Sequence, residues 1–155
     1  MGREELIINE RLKKIDELRK QGINPYPAEF DKKNSAAELQ EKYKNLGNEE
    51  YGKAASIAGR IIAIRNFGKI SFVKLQDYSG NIQVVLKEGE TKKQIIDFFN
   101  RFIDIGDFIG VKGKIFRTKR GELSVIAAEI KLLAKSIKPI PAKYHGLRDK
   151  EERYR

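Results

Sequence analysis

Cysteine is absent from this chain, which excludes disulfides, thiolate metal sites and a cysteine nucleophile. Histidine occurs once, at His145, so no zinc site can be built on histidines, and a serine–histidine triad would rest on that one residue in a proline-rich tail. No run approaches the roughly 18 apolar residues of a membrane span. The N-terminal "MGREELIINERLKK" has no apolar signal core, so the cytoplasm is the expected compartment. Catalytic motifs are scarce as well: there is no glycine-rich phosphate loop ending in Gly-Lys-Ser/Thr, no GxSxG elbow and no HExxH helix. Glu88 with Glu90, or Glu151 with Glu152, are the nearest approach to paired carboxylates, but a loop and a solvated tail imply no pocket to tune them. No catalytic residue, metal ligand or cofactor is expected in this chain; it reads as a binding module.

Positive charge, by contrast, is abundant. Lys and Arg number 32 against 22 Asp and Glu, a formal charge of +10 that is spread along the chain and makes a polyanion the natural partner to consider. Charge alone does not separate that reading from a merely soluble basic protein. The length suits one domain with a terminal extension.

Residues 3 to 21, "REELIINERLKKIDELRKQ", place Ile8, Leu12, Ile15 and Leu18 at helical spacing, with Gly22 as a stop. The helix is expected to dock by this narrow stripe; its Lys and Arg could follow phosphates or form an ordinary charged outer face. "GINPYPAEF" is expected to be extended because each proline disfavours helical geometry in the residue before it. Ser35 with Glu38 forms a capping-box pattern opening a short helix to about Leu46 that buries Leu39, Tyr43 and Leu46. "GNEEYGK" closes this preface, so residues 1–53 read as a helical extension.

The pattern then turns to strand alternation. Strands are expected at about 55–65, 69–77 and 81–87, a helix of about ten residues within "TKKQIIDFFNRFI", then strands in "GDFIGVKGKIFRT" and "LSVIAAEIKLL". Three strands, a helix and two strands is the order of a mainly β, five-stranded OB-fold, a Greek-key barrel, assigned here to residues 54–136. Gly59, Gly110 and Gly113 inside strand patterns suit bulges or sharp bends. Residues 137–155 read as a connector.

Along "ISFVKLQ", Ser71, Val73 and Leu75 share one face while Phe72 lies in the opposite row with Lys74 and Gln76. An aromatic in a polar row of such a barrel is placed to stack an unpaired base. Gln83 on the next strand also points away from its apolar neighbours, and an amide both donates to and accepts from a base edge. Arg65, ending strand one, brings a planar cation, and Glu122 sets a carboxylate in a basic surface, where it repels phosphate but can accept from a base N–H. Taken singly, Phe72 could be a core residue carried across a bulge, and Gln83 and Glu122 ordinary exposed positions. A general single-strand-binding protein and a protein-docking module using the N-terminal helix are the alternatives.

The segments "GKISFVKLQDYSGNIQVVL", "GDFIGVKGKIFRTKRGELSV" and "KPIPAKYHGLRDKEERYR", behind "LRKQGINPYP", resemble the N-terminal anticodon-binding region of class II lysyl-tRNA synthetases. The resemblance implies that the barrel splays an anticodon loop, stacks the middle uridine on Phe72 and reads it with Gln83. Arg65 and Glu122 match the family's other anticodon-contacting positions, and Lys69, Lys74, Lys119 and Arg120 are candidate backbone contacts. Aspartyl and asparaginyl relatives share the Phe and Gln positions, so the lysyl assignment rests on "TKRGELSV" and "KPIPAKYHGLRDKEERYR". The catalytic domain, which in this family uses ATP and Mg2+ and carries most of the homodimer interface, would begin just after "ERYR". A fragment of a longer enzyme, inactive alone, is therefore expected, with a free-standing homologue as the alternative.

Overall fold

The computed structural model describes residues 2–22 and 30–137. The expected connector from 138 onward lies outside them, as do residues 23–29, His145, Glu151 and Glu152.

Five strands are present: β1 (Tyr51–Asn66), β2 (Ile70–Asp77), β3 (Gly80–Lys87), β4 (Phe108–Arg117) and β5 (Leu123–Ala134). Along β2 buried residues alternate with more exposed ones, so one face turns inward, whereas β5 is buried over residues 123–127. They close in the order β1-β2-β3-β5-β4, with β3 and β5 parallel, the remaining pairs antiparallel, and β4 returning to β1. The mainly β, OB-type element order is thus the one the sequence implies. Val73, Leu75, Val84, Ile109, Val111 and Val125, each at most 1% exposed, fill the interior. Helix α3 (Lys93–Phe102), between β3 and β4, adds the buried rings of Phe99 and Phe102 to that core. Among the described residues no helix is long and apolar enough to cross a membrane.

The bends have local causes. At Gly113 the β4–β5 register shifts, and a Cβ there would run into the Ile126 carbonyl oxygen, so only glycine permits the close approach. Gly110 differs from the expectation: it is regularly paired with Ala58 and Lys131 and is small because a Cβ would strike the Phe30 ring.

Helix α1 (Arg3–Lys20) docks on a face rotated from the expected stripe: Arg11, Ile15 and Leu18 are buried, whereas Leu12 is 44% exposed. The reason is polar. Arg11 donates to the carbonyls of Ile105 (3.1 Å) and Ser136 (3.3 Å), and Lys14 pairs with Asp104 at 2.7 Å. Asp104 and Asp107 in turn hold the buried Lys135 ammonium just past β5. Helix α2 (Ala36–Lys42) is capped by Ser35, whose Oγ accepts from the Glu38 N–H at 3.3 Å and donates to Glu38 Oε1 at 2.9 Å. It stops at Lys42 rather than Leu46, and Tyr43 and Leu46 pack half-buried from the following turns. Asp77 ties α2 to the barrel: Oδ2 accepts from the Ala36 N–H (2.8 Å), and Oδ1 from the Ser79 N–H (2.7 Å), the Ser79 hydroxyl (2.6 Å) and the Gly80 N–H (3.1 Å). Burial pushes the Asp77 carboxyl up, but these donors and the nearby Lys32 outweigh it and hold it below its ordinary value.

Candidate nucleic-acid interface

Strand pairing decides which side chains become neighbours. Arg65 is paired with Phe72, and Phe72 with Val85; two residues along, Ala63 faces Lys74, Lys74 faces Gln83 and Gln83 faces Ser124. Paired residues share a face of the sheet, so Phe72, Lys74 and Gln83 stand together on the barrel exterior. Val73, Leu75 and Ile82 point inward, where they are at most 3% exposed. Phe72 is therefore not a core residue carried across a bulge. The bulge in this region lies on the partner strand, between Ile61 and Ala63.

A concavity of about 270 Å³ opens over this surface, lined by Arg65, Phe72, Lys74, Gln83 and Glu122 together with Ala63, Asn81 and Ile82. The four base-contact candidates thus come together although they span 58 residues of sequence, from Arg65 to Glu122. Of the backbone-contact candidates, Lys74 lines the concavity. Lys69 lies exposed in the β1–β2 turn, and Lys119 and Arg120 lie exposed at the tip of the β4–β5 turn next to Glu122. Basic groups so placed border the groove on two sides, while Glu122 is the one carboxylate in its lining.

Orientation within the groove is set by hydrogen bonds that the residue types alone do not reveal. The Ser124 hydroxyl donates to the Glu122 carbonyl at 3.1 Å, so its oxygen is left to accept from Gln83 Nε2 at 2.9 Å. One hydroxyl supplies only one proton. In this arrangement the Gln83 amide is held by its NH2 end. On the other side, the Arg65 guanidinium carbon lies 5.4 Å from the Phe72 ring centre, within cation–π range.

Three contributors escape a reading by residue type. Ser124 is one. Phe67 is the second, 62% exposed in the β1–β2 turn with its ring centre 5.9 Å from that of Phe72; an aromatic beside Gly68 in a turn was the available signal. Arg117 is the third: a cation on the inward parity of β4, after Ile109, Val111 and Ile115, is its signature. Its guanidinium donates to the carbonyls of Leu46 (2.6 Å), Gly121 (2.7 Å) and Tyr43 (2.8 Å), clamping the turn that carries Glu122 to the chain after α2. Asn48 Nδ2 adds a bond to the Lys119 carbonyl at 3.2 Å.

Among the described residues no group of three or more carboxylate or histidine side chains is placed to hold a metal ion.

Known proteins resemble the chain in sequence over most of its length. Residues 55–133 match the family described as the tRNA anticodon OB-fold nucleic acid binding domain. The lysine–tRNA ligase of Thermotoga maritima is 44% identical over 148 residues, covering 94% of this chain and 30% of that protein. The chloroplastic/mitochondrial lysine–tRNA ligase of Arabidopsis thaliana is 44% identical over 155 residues, covering 97% of this chain and 26% of that protein. Lysine–tRNA ligase 2 of Methanosarcina mazei is 41% identical over 145 residues, covering 94% and 28%. The chain thus spans under a third of the length of these relatives. With residues 55–133, more than half of its length, matching that description, the chain belongs to the family of anticodon-type OB-fold nucleic acid binding domains.

Proposed function

We propose that this domain recognises the anticodon loop of a lysine tRNA as the anticodon-binding arm of a lysine–tRNA ligase. The observation that carries the reading is the outward Phe72 ring standing beside Gln83, whose amide is bonded to Ser124, in one concavity with Arg65 and Glu122. A base splayed from the loop stacks on Phe72. Its edge then meets Gln83, whose Oε1 accepts from uracil N3–H while the second Nε2 proton donates to a uracil carbonyl. Cytosine offers an unprotonated N3 to the same oxygen, and turning the amide to suit it would give up the bond from Nε2 to Ser124. Arg65 and Glu122 contact the neighbouring bases, and Lys69, Lys74, Lys119 and Arg120 follow the backbone.

The whole ligase would join lysine to its tRNA in the cytoplasm, as a homodimer, using ATP and Mg2+. In that ligase this domain would supply the groove that receives the anticodon loop. Titration of a stem-loop RNA bearing UUU at the loop centre, against the same RNA with its middle uridine replaced, tests the reading. Weaker binding of the replaced loop is expected; equal binding of both would identify a general single-strand binder instead.

A further inference from the structure

Phe67 is a large apolar ring left 62% exposed, and isolated exposed hydrophobic residues are in themselves unremarkable on protein surfaces. Its setting is what distinguishes it. The β1–β2 turn that carries it is tied down: the Phe67 N–H donates to the Ile70 carbonyl (2.9 Å), the Lys69 N–H to the Phe67 carbonyl (3.1 Å) and the Gly68 N–H to Asn66 Oδ1 (2.8 Å). Gly68 adopts φ +82°, a conformation side chains rarely take, so the tight turn depends on it. The ring is thus presented on an ordered support at the rim of the groove.

Two contacts join it to the residues already described. Its plane is inclined 71° to that of Phe72 across 5.9 Å, and the Arg65 guanidinium carbon lies 6.0 Å from its centre as well as 5.4 Å from Phe72. Steeply inclined rings cannot both stack on one flat base. Two successive bases, turned relative to each other as in a splayed loop, can each take one ring. The chemistry at the rim suits a nucleotide more than a protein side chain, since the Arg65 guanidinium lies by the ring and the exposed Lys69 follows in the same turn, cations that a phosphodiester backbone would pair with.

We infer that Phe67 is a second stacking platform, taking the nucleobase next to the one on Phe72, so that the groove holds two consecutive unpaired bases with Arg65 between them. This rests on the proposed anticodon-loop reading and adds to it the ring on which one of the neighbouring bases stacks.

The test uses the 155-residue chain and stem-loop RNAs with UUU at the loop centre, one intact and two with an abasic nucleotide on either side of the middle uridine. Binding is followed by fluorescence anisotropy. Phe67→Ala should weaken the intact loop about fivefold or more, the lower end of base–aromatic stacking, and Phe67→Tyr should restore it. On one of the two abasic loops Phe67→Ala should have no further effect. Unchanged affinity for the intact loop would overturn the inference. So would a loss that persists on both abasic loops, which would mean that Phe67 only props Phe72. A wild-type chain with no preference for the middle uridine would overturn the anticodon reading and this subsite with it. Preference retained with no Phe67 effect would overturn the subsite alone.

Discussion

Replacing Phe72 with alanine removes the ring on which the account places the middle uridine. The ring stands outside the barrel, paired with Arg65 on one side and with the buried Val85 on the other. It is already held by these neighbours and by the edge contact with Phe67, so stacking a base on it costs little further ordering. Base–aromatic stacking contributes about 1–3 kcal/mol, and a pre-positioned ring belongs near the middle of that range. About 2 kcal/mol corresponds to roughly 30-fold in affinity. The fold should survive, because the loss of a half-buried outer ring stays below the ~3–5 kcal/mol of a core Phe→Ala change. Anisotropy titration of the UUU stem-loop measures the first quantity and a thermal melt the second. Phe72→Tyr should bind like wild type, whereas Phe72→Leu, which keeps the apolar contact with Val85 without a π face, should lose most of the affinity. A folded Phe72→Ala chain that binds within twofold of wild type would refute the reasoning.

Three further outcomes follow from named contacts. Arg117→Leu removes three hydrogen bonds, leaving the Tyr43 carbonyl only its bond from the Leu46 N–H, and should cost about 2–3 kcal/mol of stability, seen as a lower Tm; Arg117→Lys should not rescue it, because one ammonium cannot reproduce the planar fork. Asp77 sits below its ordinary value in the folded state, so its contribution is present above about pH 4 and is lost as pH falls through the lowered folded value. Asp77→Asn should accordingly lower Tm at pH 7 and differ less from wild type at pH 3. The double change Lys119→Ala with Arg120→Ala should weaken all loops alike and flatten the plot of log affinity against log salt by about 1.4, for two phosphate contacts to a single strand.

The strands were legible because alternation is a local property that half-buried sheets impose on every pair of residues. Placement of Phe72 outside the barrel followed from the same parity. The orientation of α1 was not legible. Its buried face includes Arg11, a residue whose partners, the carbonyls of Ile105 and Ser136, lie 94 and 125 residues away. Leu12, apolar and in helical register, stays exposed as a result. Similarly, β1 begins at Tyr51 instead of about 55, because the Tyr51 ring packs on Phe116 at 4.8 Å in a segment whose Gly and Glu residues read as a turn. In the groove, residue types pointed to Arg65, Phe72, Gln83 and Glu122 as candidates. The Ser124 hydroxyl that orients Gln83, and the Arg117 clamp under the Glu122 turn, depend on strand pairing and could not be read from spacing.

Gln83, held by its bond to Ser124, is expected to distinguish uridine from cytidine at the base stacked on Phe72. A double-mutant cycle tests it most directly, pairing wild type and Gln83→Ala with stem-loops carrying uridine or cytidine at the middle position. The account predicts that wild type prefers uridine by roughly tenfold, a hydrogen-bond-sized difference, and that Gln83→Ala binds both loops equally. A preference that survives Gln83→Ala undiminished, or a wild-type chain that binds both loops alike, would contradict it.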